Sequence, residues 1–131
     1  MILRILAVGD VVGAPGLAFL SEHLRAFKEQ EHIDFTVVNG ENANVVGVTP
    51  KQADAIFAAG ADVITLGNHT FGKMEIGRML DETPWLLRPA NLSGRMPGHG
   101  CEIFDLNGLR FRVVNLIGRC TLQWNLENPF T

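Results

Sequence analysis

The chain has 131 residues, of which 47% are hydrophobic, and it carries a formal net charge of −3 at pH 7. This length and composition predict one globular domain with a real core, and the lack of a basic excess argues against binding to duplex nucleic acid. Two cysteines, Cys101 and Cys120, are too few for a disulfide-stapled secreted domain, so we expect both to be small core residues.

The amino-terminal two-thirds of the sequence alternates between strand and helix patterns. Ile2 to Val8 is a nearly continuous apolar run, typical of a strand that is covered on both faces. The sequence predicts strands near residues 2–9, 35–39 and 62–66, and helices from about Leu17, from Thr49-Pro50 with its capping-box Gln52, and from about Met74 to Leu80. This order predicts an α/β fold, a layered sheet of parallel strands flanked by helices.

The carboxyl-terminal third has a different character. Residues 85–88 suggest a short strand that ends at Pro89, and for Arg88 we favour a structural ion pair over a phosphate contact. Cys101–Leu106 and Leu109–Leu116 alternate around Asn107-Gly108, a strong hairpin signal, and we expect this hairpin to extend the sheet. Residues 121–131 show no periodicity.

The amino terminus resembles a signal peptide only superficially, because it lacks a basic leader and its apolar run ends early at Gly9-Asp10. No stretch of the sequence is long enough to cross a bilayer. We therefore expect a cytoplasmic protein without a membrane partner.

Polar groups follow each of the first three predicted strands. They occur in Gly9-Asp10, in Asn39-Gly40-Glu41-Asn42 and in Gly67-Asn68-His69. The carboxyl ends of parallel strands meet at one edge of a sheet, where ligands bind. Asp10, Glu41, Asn42 and Asn68 offer oxygen atoms and His69 offers an imidazole, so the pattern suggests a divalent-metal site.

Several short blocks of the sequence together resemble the signature of YmdB-like metallophosphoesterases. Those proteins are calcineurin-type enzymes that bind two metals and act as phosphodiesterases on cyclic nucleotides. The blocks are Gly9-Asp10-Val11-Val12-Gly13, Asn39-Gly40-Glu41-Asn42-Ala43, Gly67-Asn68-His69-Thr70, Arg88-Pro89-Ala90-Asn91, Asn115-Leu116-Ile117-Gly118-Arg119 and Asn128-Pro129-Phe130. They occur in family order along the whole chain, which makes the resemblance specific.

The resemblance implies a role for each candidate residue and a cofactor pair. Asp10 would hold a first metal, Glu41 would bridge both metals, and Asn42 would add to the first. Asn68 would bind the second metal, and His69 would be the proton donor near the leaving group. The cofactors would be two divalent ions such as Fe, Mn or Zn, and the substrate a small phosphoester such as a 2',3'-cyclic nucleotide.

The resemblance also implies further histidine ligands from a second half of the domain. Because no such motif follows in this sequence, we expect residues 1–131 to form a single, incomplete metallophosphoesterase-like domain, the amino-terminal half. A half domain leaves apolar surface uncovered, so we expect a homo-oligomer. The alternative hypothesis is a non-catalytic nucleotide- or protein-binding α/β module, for which metal analysis of the purified protein should find no bound metal.

Overall fold

A computed structural model describes residues 2–121 and 126–130. Its elements are β1 (Ile5–Val8), α1 (Gly13–Gln30), β2 (Phe35–Asn39), α2 (Pro50–Ala59), β3 (Val63–Thr65), α3 (Ile76–Glu82), β4 (Leu86–Leu87), β5 (Cys101–Leu106) and β6 (Leu109–Val114). The predicted aperiodic segment falls partly outside the described residues, because 122–125 and 131 do. In the described part, no helix is long and apolar enough to cross a membrane.

The first four strands form one parallel sheet in the order β1-β2-β3-β4, which confirms the predicted fold class. Helix α2 begins with the predicted capping box: Gln52 N–H donates to Thr49 Oγ1 at 3.3 Å, and Thr49 N–H donates to Gln52 Oε1 at 3.0 Å. Helix α1 begins at Gly13, earlier than the predicted Leu17. Gly13 has a φ of +63°, which glycine adopts without strain and which turns the chain into the helix.

The hairpin β5-β6 is a separate antiparallel sheet, so the prediction that it extends the main sheet is wrong. It lies on the face of the sheet opposite the helices. Phe104 and Phe111 pack edge-on against Phe35 of β2, with ring centroids 4.8 and 4.9 Å from that of Phe35. Face-to-face stacking buries these rings, whereas pairing at the sheet edge would leave them in water.

Strand β1 is an edge strand whose outer face is exposed, contrary to the prediction that both faces are covered. Ile5 is 53% exposed although its neighbour in register, Phe35, is 4% exposed. The hairpin packs against Phe35, Val63 and Leu87 of the other three strands and leaves β1 uncovered. The inner side chains of β1, Leu6 and Val8, pack against the helices.

Neither cysteine is a core residue, which corrects a further expectation. Cys101 and Cys120 are both free thiols, and both are exposed. Along β5 burial alternates residue by residue, and Cys101 falls on the exposed side. The alternation that predicted the strand therefore did not identify which side of the hairpin meets the sheet.

We expect Phe35→Ala to lower the free energy of unfolding by about 3–5 kcal/mol, because it leaves a cavity between the sheet and the hairpin. Urea unfolding measures this change. Phe130→Ala is the matched control, since Phe130 is 94% exposed, and its effect should stay within about 0.5 kcal/mol. Similar effects of the two substitutions would contradict the docking of the hairpin on the sheet.

Candidate functional site

The loops at the carboxyl edge of the sheet are joined by backbone hydrogen bonds that continue the parallel ladder beyond the strands. The donor and acceptor pairs are Val11 N–H to Asn39 O at 3.0 Å, Gly40 N–H to Thr65 O at 3.1 Å and Leu66 N–H to Leu87 O at 2.9 Å. Because each loop is fixed to the end of the next strand, the side chains that follow β1, β2 and β3 converge on one edge of the sheet. The sequence predicted this convergence from the order of the strands.

Three of the predicted site residues form a hydrogen-bonded chain across that edge. Asn42 Nδ2 lies 2.9 and 3.1 Å from the two carboxylate oxygens of Asp10. Asn42 Oδ1 lies 2.6 Å from Nδ1 of His69. Asp10 is exposed, while Asn42 and His69 are half-buried. The chain therefore runs from an exposed carboxylate to a half-buried imidazole.

Glu41 is the neighbour of Asn42 in this loop, and one oxygen of its carboxylate lacks a partner in the part of the chain that the structure describes. Its Oε2 is buried and has no hydrogen-bond partner among the described residues. The carboxylate occupies the space where a Cβ at position 67 would lie, so Gly67 is required for it to fit. A buried carboxylate oxygen without a partner costs free energy, which a bound cation would offset.

The predicted metal ligands lie in the loops at this edge, with Asn68 half-buried and directly after Gly67. Among the described residues, no three histidine, cysteine, aspartate or glutamate side chains group closely enough to hold a metal ion by themselves. A cation at this edge would therefore also need the amide oxygens of Asn42 and Asn68. The unsatisfied Glu41 oxygen is the observation that fits a cation; the individual ligand roles stay predictions.

Two asparagines that carried no predicted role hold the loops around the site. Asn115 Nδ2 donates to Leu66 O at 2.6 Å and to Leu87 O at 3.0 Å, which fixes the chain just before Gly67. Asn91 exchanges two hydrogen bonds with the backbone of Ile117, at 2.9 and 3.0 Å. In the sequence, Asn91 and Asn115 each lie in one of the motif blocks. That position does not by itself distinguish a metal ligand from a residue that holds the backbone of a loop.

Arg88 has the expected structural role, although among the described residues backbone carbonyl oxygens hold it in place of an ion pair. It is 5% exposed, and its Nε and Nη1 donate to the carbonyl oxygens of Pro97 and Pro89 at 3.1 and 2.8 Å. Burial lowers the pKa of the Arg88 guanidinium, and the charge of Glu127 acts in the opposite direction. Through these two bonds Arg88 supports the loops.

Comparison with known proteins adds to this geometry. The sequence profile of a family described as YmdB-like protein matches residues 6–131. The chain is 43% identical over 129 residues to the 2',3'-cyclic-nucleotide 2'-phosphodiesterase of Bacillus subtilis strain 168, covering 98% of this chain and 48% of that protein. The chain thus spans about half the length of the curated relatives it matches.

Two crystal structures share the fold. A hypothetical protein from Thermus thermophilus matches with a TM-score of 0.88 and 31% identity, over 98% of this chain and 50% of that one. A phosphatase from Mycoplasma pneumoniae matches with a TM-score of 0.85 and 28% identity, over 98% of this chain and 48% of that one. The similarity therefore extends along nearly all of the present chain in both sequence and structure.

We expect Gly67→Ala to displace the Glu41 carboxylate, because the new Cβ would overlap it. The carboxylate is the flexible end of a side chain, so the free energy of unfolding should change by no more than about 1 kcal/mol. A crystal structure of the variant measures the displacement. Gly94→Ala is the control, since no atom lies within 4 Å of its added Cβ. If the Glu41 carboxylate did not move in the variant, the described close approach of this carboxylate to Gly67 would be wrong.

Proposed function

Because the chain belongs to the family of YmdB-like proteins, we propose that it supplies the amino-terminal half of a metal-dependent phosphodiesterase. The proposed substrates are cyclic nucleotides such as 2',3'-cyclic nucleotides. The similarity to the B. subtilis 2',3'-cyclic-nucleotide 2'-phosphodiesterase supports this choice. The observation that carries the proposal is the buried, unpartnered oxygen of Glu41, which lies beside the chain of Asp10, Asn42 and His69.

Asp10, Glu41, Asn42 and Asn68 are the proposed residues for two divalent ions. Bound there, such ions would neutralise phosphate charge and lower the pKa of a water molecule that attacks phosphorus. Oxygen donors of this kind suit Mn and related hard ions. Glu41 has the central place in the proposal because a carboxylate can bridge two cations and reduce their mutual repulsion.

His69 is the proposed proton donor to the leaving oxygen. It lies at the same edge as the carboxylates, and its Nδ1 is held by Asn42 at 2.6 Å. Its other ring nitrogen has no hydrogen-bond partner among the described residues. A histidine in this place can protonate a departing alkoxide without itself holding a metal, and such help is typically worth about 10²–10⁴-fold in rate.

The proposed oligomer uses the apolar face formed by β1 and α1. Leu6 and Val8 of β1 line this face with Phe19 and Phe27 of α1, and the two phenylalanines are 65% and 45% exposed. Next to them β1 has an edge without a strand partner among the described residues. A second copy can pair along the same edge about a two-fold axis, which would cover both the backbone groups and the phenyl rings.

The proposed location is the cytoplasm. Cys101 and Cys120 are both free and both exposed. Thiols of this kind persist where glutathione and thioredoxin keep the compartment reducing.

Glu41→Gln should weaken Mn²⁺ binding strongly, because it removes the charge proposed to join the two ions. His69→Ala should keep most of the metal. In an active full-length protein with the same substitutions, His69→Ala should slow hydrolysis by about 10²–10⁴-fold. Titration calorimetry on this chain measures Mn²⁺ binding, and hydrolysis rates are measured on the full-length protein.

Two outcomes would overturn these roles. If His69→Ala lost metal as fully as Glu41→Gln, His69 would be a ligand. If its rate loss were equal for an alkoxide and for a nitrophenolate leaving group, the general-acid role would fail, because a nitrophenolate needs little protonation. If the wild-type protein showed no detectable Mn²⁺ binding, the result would favour the alternative hypothesis of a non-catalytic binding module.

Phe27→Glu should shift the protein towards monomer, because it places a charge in the proposed contact between copies. Light scattering over a range of concentrations measures the molar mass. Met74→Glu serves as the control: Met74 is 82% exposed and lies outside the β1–α1 face. A wild-type protein that stays monomeric at high concentration would contradict the proposed oligomer.

A further inference from the structure

The orientation of the Asn42 amide is fixed by its chemistry. Asn42 Nδ2 lies within hydrogen-bond distance of both oxygens of Asp10. An ionised carboxylate only accepts hydrogen bonds, so the amide must present its NH₂ group to Asp10. The reversed amide would place its oxygen against two carboxylate oxygens. Asn42 must therefore present Oδ1 to His69, at 2.6 Å from Nδ1.

An amide oxygen also only accepts, and this fixes the next link. For a hydrogen bond to exist between Asn42 Oδ1 and His69 Nδ1, the hydrogen must be on Nδ1. We propose that Asn42 is a positioning residue that holds the neutral imidazole of His69 as the Nδ1–H tautomer, with Asp10 orienting Asn42 in turn. An unconstrained imidazole in water prefers the opposite, Nε2–H tautomer, so the proposal reverses the intrinsic preference.

The use of this tautomer in hydrolysis rests on the proposed function. With Nδ1–H engaged, the additional proton of the imidazolium lies on Nε2, the nitrogen that is free to meet a substrate. His69 then gives the Nε2 proton to the leaving oxygen as the P–O bond breaks, and it returns to the neutral Nδ1–H form. The attacking water adds to phosphorus and releases a proton to solvent, and a proton from solvent returns to Nε2, so the cycle balances. Asn42 Oδ1 has a second lone pair, so its contact with His69 does not prevent it from also binding a cation.

Two other histidines provide internal references for both tautomers. His23 Nδ1 lies 2.9 Å from the carbonyl oxygen of Phe19, which also requires Nδ1–H. His99 Nε2 lies 2.9 Å from the carbonyl oxygen of Pro84, which requires Nε2–H. The structure thus assigns His69 and His23 to one tautomer and His99 to the other.

Long-range ¹H–¹⁵N correlation spectra of the chain at alkaline pH, without added metal, distinguish the two tautomers by the ¹⁵N shifts of each ring. In the wild type, the Nδ1–H form of His69 should predominate by on the order of tenfold. Asn42→Leu removes the acceptor and should return His69 to mainly Nε2–H. Asn42→Asp keeps an acceptor beside Nδ1 and should restore Nδ1–H, a rescue that a purely structural effect would not produce.

His23 and His99 should keep their tautomers in every variant, which verifies that each variant is folded. An Nε2–H ring at His69 in the wild type would overturn the proposal, as would an Asn42→Leu protein that keeps Nδ1–H. The measurement involves neither metal nor substrate. A full-length protein with the expected tautomer but no hydrolysis would refute the proposed function alone, and an active full-length protein with the opposite tautomer would refute this inference alone.

Discussion

The continuation of the parallel backbone ladder into the loops is the constraint on which the site depends. In each case a loop N–H donates to the carbonyl oxygen of the last residue of the next strand. The pairs are Val11 to Asn39, Gly40 to Thr65 and Leu66 to Leu87. These bonds need no particular side chain. They fix where each loop leaves the sheet, so Asp10, Asn42 and His69 meet although they are far apart in sequence. Asn115 strengthens the last link from the side of the hairpin.

Within that frame the site combines satisfied and unsatisfied polar groups. Asp10, Asn42 and His69 satisfy one another in a chain of donors and acceptors. Glu41 keeps an unpartnered oxygen against Gly67. A folded protein retains an unfavourable group of this kind where it serves a function, because the rest of the fold provides the stability. In the proposed function, Glu41 is the group that meets a positive charge, whereas Asp10 and Asn42 position an imidazole.

The sequence predicted what local patterns determine. The parallel strands follow from apolar runs, the start of α2 from its capping box, and the tight turn from Asn107-Gly108, whose φ angles are +52° and +80°. It did not predict which neighbour covers each face. Alternation shows that β5 has two unlike sides, yet stacking on Phe35 and pairing at the sheet edge give the same alternation. For the same reason the exposure of Ile5 on β1 was missed.

The candidate site was predictable as a set of residues but not as a set of contacts. Strand order places Asp10, Asn42 and His69 at one edge. Their hydrogen bonds depend on loop conformations that no periodic pattern encodes, including Val45 at a φ of +62°. Gly67 can lie against Glu41 only because it has no side chain. This steric role could not be predicted from the sequence, because a glycine in a turn is equally well explained by the conformations that it tolerates.

The position of the hairpin as the third layer has a consequence for synthesis on the ribosome. Strands β1 to β4 emerge before the hairpin, and each parallel pair closes across an intervening segment that contains a helix. The hairpin emerges after them and closes locally across its tight turn. Until then Phe35, Val63 and Leu87 lack their cover. The nascent chain therefore presents an apolar sheet face during translation, and chaperones that bind extended apolar segments would meet it at this stage.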